Sequence, residues 1–285
     1  STIHQLTRRA LEDAGEIIRR PVGEVSWAVP VPGARGLGSV WAYFPTNIQT
    51  TLSGIANAPW KLSSDRLAMV PGDYNEELLI EVLPGLVARG LARMKSSGDP
   101  AALLDALPAR GKEARSWADD KINEPIFEAT SKATCVPDQD GTLRRPAQLT
   151  LHPAGLPQAW KEAWSTSRPG SWVHHSVDRT AERRLKAERL IAGGRGSTVS
   201  LTSWIDAVAA DGEPDASAAA LRLAAKIIST NRDYLPDVRR AHIVLLEDGQ
   251  LARPERGKIF LRSEEGSSDH DFIHPDLTKI TGVGD

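Results

Sequence analysis

Two periods of apolar residues alternate along the chain. In residues 1–20, Ile3, Leu6, Ala10, Ala14 and Ile17 recur at helical spacing and predict a short amphipathic helix, which Pro21 and Gly23 should end. Val25, Trp27 and Val29 then alternate with polar neighbours, as do Val40, Ala42 and Phe44. Each run reads as a strand, and the glycine-rich link 32–38 between them predicts a hairpin. Residues 51–58 suit a third strand. From Asn75 a long amphipathic helix is predicted, with Leu78, Leu79, Val82, Leu83, Leu86, Val87, Leu91 and Met94 on its apolar face. Pro84 should kink or divide it. Shorter helices are expected at about 100–107 and 112–133.

The second half echoes the first. The segment from Asp140 to Pro146 matches that from Asp248 to Pro254 in five of seven places. Each copy follows a helical region, 112–133 or 215–229. Each precedes an alternating run, Leu149/Leu151 or Ile259/Leu261. Asp-Gly between apolar runs signals a tight hairpin, because these residues tolerate positive φ. Two copies of a helices-then-hairpin unit are therefore expected. A boundary is placed near 165–180, where Ser, Arg and Gly accumulate.

Composition sets limits on function. Of 285 residues, 40% are hydrophobic and 25% charged, with 35 basic against 37 acidic side chains. That is enough apolar material for a sizeable core, and the near-neutral balance makes a nucleic-acid partner unlikely. The single cysteine, Cys135, allows no internal disulfide and reads as a small buried residue. No run of apolar residues is long enough to span a membrane. A cytoplasmic location is expected. The chain begins at Ser1, so a piece of a longer protein is expected too.

The segment from Phe44 to Arg66 holds the candidate chemistry. A strand runs into Pro59-Trp60, and the polar turn Ser63-Ser64-Asp65 places Arg66 at its end, ahead of the long helix. Ser63, Ser64 and Asp65 can bond neighbouring backbone groups and stiffen such a turn. A guanidinium forks onto two oxygens of a phosphate, and one supplied from a second domain can stabilise charge developing in phosphoryl transfer. By spacing alone, Asp65 and Arg66 are ordinary surface charges.

Phe44-Pro45, Ile48-Gln49-Thr50, Leu52-Ser53-Gly54, Asn57-Ala58-Pro59-Trp60 and Ser63-Ser64-Asp65-Arg66 together resemble the segment after the ATP-binding domain in sacsin-repeat proteins. Leu62 to Arg66 is also similar to the arginine loop in the middle domain of the ninety-kilodalton heat-shock chaperone, with extra residues before the arginine. The likeness covers about residues 24–95. It implies a chaperone-type (GHKL superfamily) ATPase whose ribosomal-S5-domain-2-like α/β middle domain supplies Arg66, with Lys61 beside it, to ATP. ATP and Mg²⁺ would be held by an upstream ATP-binding domain of the same protein, and a protein client would be a further partner.

The superfamily's own nucleotide motifs are not seen. Asn75-Glu76-Glu77 lacks the Glu-x-x-x-Asn order, and the segment 138–141 lacks a second glycine, so this chain alone should bind ATP poorly. Other signals read as structural. Gly193-Gly194-Arg195-Gly196 lacks a P-loop's lysine and spacing. His174-His175 and the Asp269 to His274 run lack standard zinc spacing and read as surface histidines, with no metal expected. There is no Gly-x-Ser-x-Gly elbow for a hydrolase active by itself. Trp60, Trp117, Trp160, Trp164 and Trp204 read mostly as core anchors, and the charged run 179–189 as a solvated helix face.

The sequence thus predicts an α+β protein. A middle-domain-like part spans 1–98, helices with the first Asp-Gly hairpin span 99–165, and the second such unit spans 166–285. It would complete an ATPase and couple it to a client; the alternative is a non-catalytic interaction scaffold.

Overall fold

The computed structural model describes residues 1–15, 22–30, 36–94, 98–108, 116–165, 171–193, 199–261 and 271–280. The fold is α+β. The chain divides into two compact units, one of residues 1–150 and 171–197, the other of 151–170 and 198–285. The expected breaks at 98 and 165 do not fall on this division. Residues 171–197 return to the first unit because His174 N donates to Pro137 O at 2.9 Å and Arg183 pairs with Asp99 and Asp105.

The first unit begins with β1 (Thr2–Gln5) and α1 (Arg8–Ala14). The helix expected over 1–20 is thus a strand followed by a helix. Thr7 caps α1 by accepting from Ala10 N, so the helix cannot extend back to Ile3, which lies exposed in the strand. Ile17 lies outside the described residues. β2 (Val22–Ala28), β3 (Gly38–Ala42), β4 (Phe44–Thr50) and β5 (Ile55–Asn57) complete a sheet of order β1-β2-β5-β3-β4. The hairpin expected between β2 and β3 is not formed. β5 lies between them, antiparallel to β2 and parallel to β3. β3 instead turns directly into β4 at Tyr43, with φ of 61°.

The long apolar helix arrives in three pieces: α2 (Asp73–Glu77), a π-helical turn (Leu78–Val82) and α3 (Leu83–Leu91). Pro84 has no N–H and its ring crowds the carbonyl of Ile80, so the ladder widens just ahead of it and restarts with proline in the first turn. All eight expected apolar positions of this stretch are buried. At Gly90 a Cβ would sit 2.8 Å from the Trp27 ring, so only glycine lets α3 pass this close to β2. A 3₁₀ segment (Pro100–Ala106) and α4 (Trp117–Ser131) follow. Asp119, buried in the first turn of α4, accepts from Thr51 N at 2.8 Å and ties that helix to the end of β4.

β6 (Val136–Pro137) and β7 (Leu143–Arg144) form the first Asp-Gly hairpin. After a short 3₁₀ turn (Pro146–Gln148), another 3₁₀ segment (His175–Arg179) leads to α6 (Ala181–Gly193), once α5 (Gln158–Ser165) of the second unit has intervened. The basic run on α6 is not the solvated face expected. Arg183, Arg184 and Lys186 are buried, because Asp99, Asp105, Asp178 and Glu188 supply carboxylates and Leu107 a carbonyl.

The second unit packs α5, α7 (Leu201–Ala209), α8 (Pro214–Thr230) and α9 (Leu235–Arg240). Trp160, Trp164 and Trp204 are buried there, with Trp164 stacked on Trp204 at 5.6 Å between ring centroids. Buried His152 accepts at Nδ1 from Trp204 Nε1 at 2.8 Å. The unit ends with β8 (Val244–Leu245), β9 (Leu251–Ala252), β10 (Ile259–Phe260), β11 (Asp271–Phe272) and α10 (Pro275–Thr278).

The two Asp-Gly segments are equivalent hairpins. Val136 pairs with Arg144 and Pro137 with Leu143; 108 residues on, Val244 pairs with Ala252 and Leu245 with Leu251. The turns close alike, Gly141 N to Asp138 O at 2.9 Å and Gly249 N to Leu246 O at 3.0 Å, with φ of 78° and 82° at the glycines. The likeness runs further than the sequence repeat. His174 N donates to Pro137 O and His274 N to Leu245 O, both at 2.9 Å. Each histidine side chain then caps a helical turn, accepting from Ser176 N or Asp276 N. Trp172-Val173-His174 thus answers to Phe272-Ile273-His274, each lying parallel to the strand after its hairpin.

Candidate functional site

The loop from Lys61 to Val70 leaves the sheet after β5 and returns at the start of α2. Its base closes through Val70 N to Lys61 O at 2.9 Å and a bridge between Leu62 and Met69. Above this, Ser63 N donates to Ala68 O at 2.9 Å, and the Ser63 hydroxyl accepts from Ala68 N at 3.0 Å. That hydroxyl lies 2.5 Å from Asp65 Oδ1, which also accepts from Leu67 N at 3.0 Å. Bonding to the Ser63 hydroxyl first, and to the Leu67 amide next, holds the Asp65 carboxyl below its usual range. Ser63 and Asp65 thus bond to backbone groups of their own turn. Ser64 stands exposed at its corner.

Arg66 occupies the tip. Its amide donates to Ser63 O at 2.8 Å, and its backbone has φ of 59°, the left-handed region that costs a non-glycine residue strain. The side chain is exposed, with Nη2 3.3 Å from the carbonyl of Ala42. Tyr43, next to that carbonyl, also has positive φ, and its amide donates to Asn57 Oδ1 at 2.8 Å. Tyr43 and Phe44, which follow Ala42, and Leu67, which follows Arg66, are 60%, 68% and 56% exposed. A groove of about 400 Å³ is lined by Leu67 and Met69 of the loop together with Asn47, Gln49, Ser116 and Trp117.

Lys61 belongs to the same loop, but its head is engaged elsewhere. Its ammonium meets Asp13 Oδ1 at 3.0 Å and the Asp13 carbonyl. Asp13 Oδ2 accepts from Tyr74 N at 3.0 Å. Bonding from the Tyr74 amide, then from Lys61, keeps the Asp13 carboxyl low. Lys61 thus fastens the loop to α1, while Arg66 reaches towards the turn between β3 and β4.

The residue that sequence reasoning missed is Asn75. Its Oδ1 accepts from Lys61 N at 3.0 Å, and its Nδ2 donates to Lys61 O and to Val70 O, each at 2.7 Å. Tyr74 assists, its hydroxyl donating to Pro59 O at 2.8 Å. The available signal was a pair of polar-tipped residues, Tyr74-Asn75, where an apolar helical face begins; it reads equally as a helix start.

The other signals lie apart from this loop. Cys135 is buried, its thiol pushed up to about 12 by desolvation, and it contacts Thr130 O at 3.3 Å. His174 is partly buried rather than on the surface, its ring 4.2 Å from that of His175. Residues 194–198 of the glycine-rich run and 269–270 of the acidic-histidine run lie outside the described residues. Among the described residues no group of three or more acidic, histidine or cysteine side chains could hold a metal ion, and no helix is long and apolar enough to cross a membrane. No family model matches the chain, and no match is found among curated proteins or solved structures.

Proposed function

We propose that this chain is part of a sacsin-like, chaperone-type ATPase, lying after the ATP-binding domain, and that Arg66 completes ATP hydrolysis held by that domain. In this reading residues 1–98 serve as the ribosomal-S5-domain-2-like middle domain, and the rest couples the nucleotide state to a protein client. Mg²⁺ and the adenine pocket belong to the upstream domain. One observation carries the reading: a loop bonded across its base, middle and turn presents an exposed arginine in a strained left-handed backbone. A cation held in advance where charge develops lowers a barrier without reorganising at the moment of reaction.

A non-catalytic scaffold is the second reading, favoured by the exposed Tyr43, Phe44 and Leu67. Arg66→Ala in the full-length protein separates the two. The ATPase reading expects turnover to fall about 10- to 100-fold with ATP affinity unchanged, as for an interaction made mainly in the transition state. Unchanged turnover ends that reading and leaves the scaffold.

A further inference from the structure

We propose that Asn75 is the positioning residue of the Arg66 loop, a role that rests on the catalytic reading of Arg66. Its carboxamide is fully buried and makes three hydrogen bonds, all to the two ends of the loop. Lys61 offers it both N–H and C=O, and Val70 its C=O. One planar group thus joins the outgoing and returning strands at the root. Only an amide side chain can do this, because the site needs an acceptor and two donors at once. Asn75 does little for its own helix. The N-cap of α2 is Gly72, and the first-turn amide of Tyr74 is met by Asp13 Oδ2, not by Asn75. Its polar capacity is spent on the loop.

The consequence passes upward by contact. The Leu62–Met69 bridge and the Ser63–Ala68 bonds stack on the root, and Arg66 hangs from Ser63 O. Lys61 adds a second tether to α1 through Asp13. Rotation of the root would carry the guanidinium with it, and a shift of about 1 Å at a reacting group can cost on the order of a hundredfold in rate.

The test uses Asn75→Asp in the full-length protein. The shape is kept, but the two carbonyls face an acceptor in place of a donor. Leu91→Ala, buried in α3, is the control for general destabilisation. Amide exchange at Lys61, Ser63, Arg66, Ala68 and Val70 should rise at least about tenfold in Asn75→Asp, and no more than elsewhere in Leu91→Ala. In ATP turnover, Asn75→Asp should lower kcat with KM retained, and add nothing on top of Arg66→Ala. If Asn75→Asp does not fold, Asn75→Gln keeps donor and acceptor one methylene further out and should show the same non-additivity. Exchange that stays slow in the loop, or losses that add to those of Arg66→Ala, overturns the positioning role. Faster loop exchange with turnover indifferent to both Asn75 and Arg66 instead overturns the catalytic reading and leaves Asn75 as the loop's clamp.

Discussion

Arg183 holds Asp105 through two parallel hydrogen bonds, Nε to Oδ1 at 2.9 Å and Nη2 to Oδ2 at 2.6 Å. Its remaining nitrogen meets both oxygens of Asp99 at 3.0 Å and the carbonyl of Ser176 at 2.9 Å. The side chain is fully buried, so the 3₁₀ segment, α6 and the turn before it meet on a desolvated charge whose donors are matched.

Removing that cation takes the two-pronged partner from Asp105 and leaves Asp99 to Arg179. Arg183→Ala should destabilise the first unit by about 3–5 kcal/mol, the cost of breaking a buried pair from one side. Arg183→Lys should recover only part, because an ammonium cannot fork onto Asp105 and reach Asp99 together. Denaturant unfolding of both variants checks the order; equal stability of wild type and Arg183→Ala would contradict the burial of a needed charge.

His174 sets a pH dependence. Burial first, then the neighbouring charges of His175 and Arg179, lower its pKa to about 4 against the opposing pull of Asp99 and Asp138. The native state needs the neutral ring, since Nδ1 accepts from Ser176 N at 3.1 Å. The unfolded chain protonates this ring near its ordinary value of 6.5, whereas the folded chain resists until about 4. Stability is therefore whole above 6.5 and falls as pH drops towards 4. Nearby carboxylates titrate in the same range, so the informative quantity is a difference. His174→Asn keeps an acceptor and cannot charge, and its melting temperature should fall less than wild type between pH 7 and pH 5.

The backbone at Arg66 separates strain from function. Arg66→Gly should leave stability within about 1 kcal/mol of wild type, since relief of the left-handed strain offsets the greater freedom of the unfolded chain. Arg66→Val should cost about 1–2 kcal/mol, because a β-branched residue fits positive φ worst. Thermal unfolding decides between this order and its reverse. On the proposed function both variants lose turnover, so activity and stability part company at Arg66→Gly.

In the second unit a single hydroxyl serves the hairpin. Ser217 Oγ donates to Ile243 O at 2.5 Å and accepts from Leu245 N at 3.1 Å, fully buried. Ser217→Ala takes this partner from both backbone groups and should destabilise that unit by about 1–3 kcal/mol. Amide exchange at Leu245 should accelerate in the variant; unchanged protection there would show that the hydroxyl is dispensable.

Local chemistry is what the sequence alone determined. Asp140-Gly141 and Asp248-Gly249 announce their hairpins because positive φ is a property of the residues in the turn. Pro84 announces a break because a missing N–H acts within one helical turn. Ser63 and Asp65 announce a turn bonded to its own backbone because their partners lie within five residues. Partners distant in the chain were decided only by the tertiary structure. Periodicity marks Val25 and Val40 as strand positions but cannot say that β5 separates β2 from β3. Charge spacing on α6 suits a solvated face, and only Asp99 and Asp105, far back in the chain, turn Arg183 inward. Asn75 looks like a helix start until the fold brings Lys61 and Val70 to its carboxamide. Hydrogen-bonding capacity is written in each residue type, but which groups use it depends on which segments the hydrophobic core draws together.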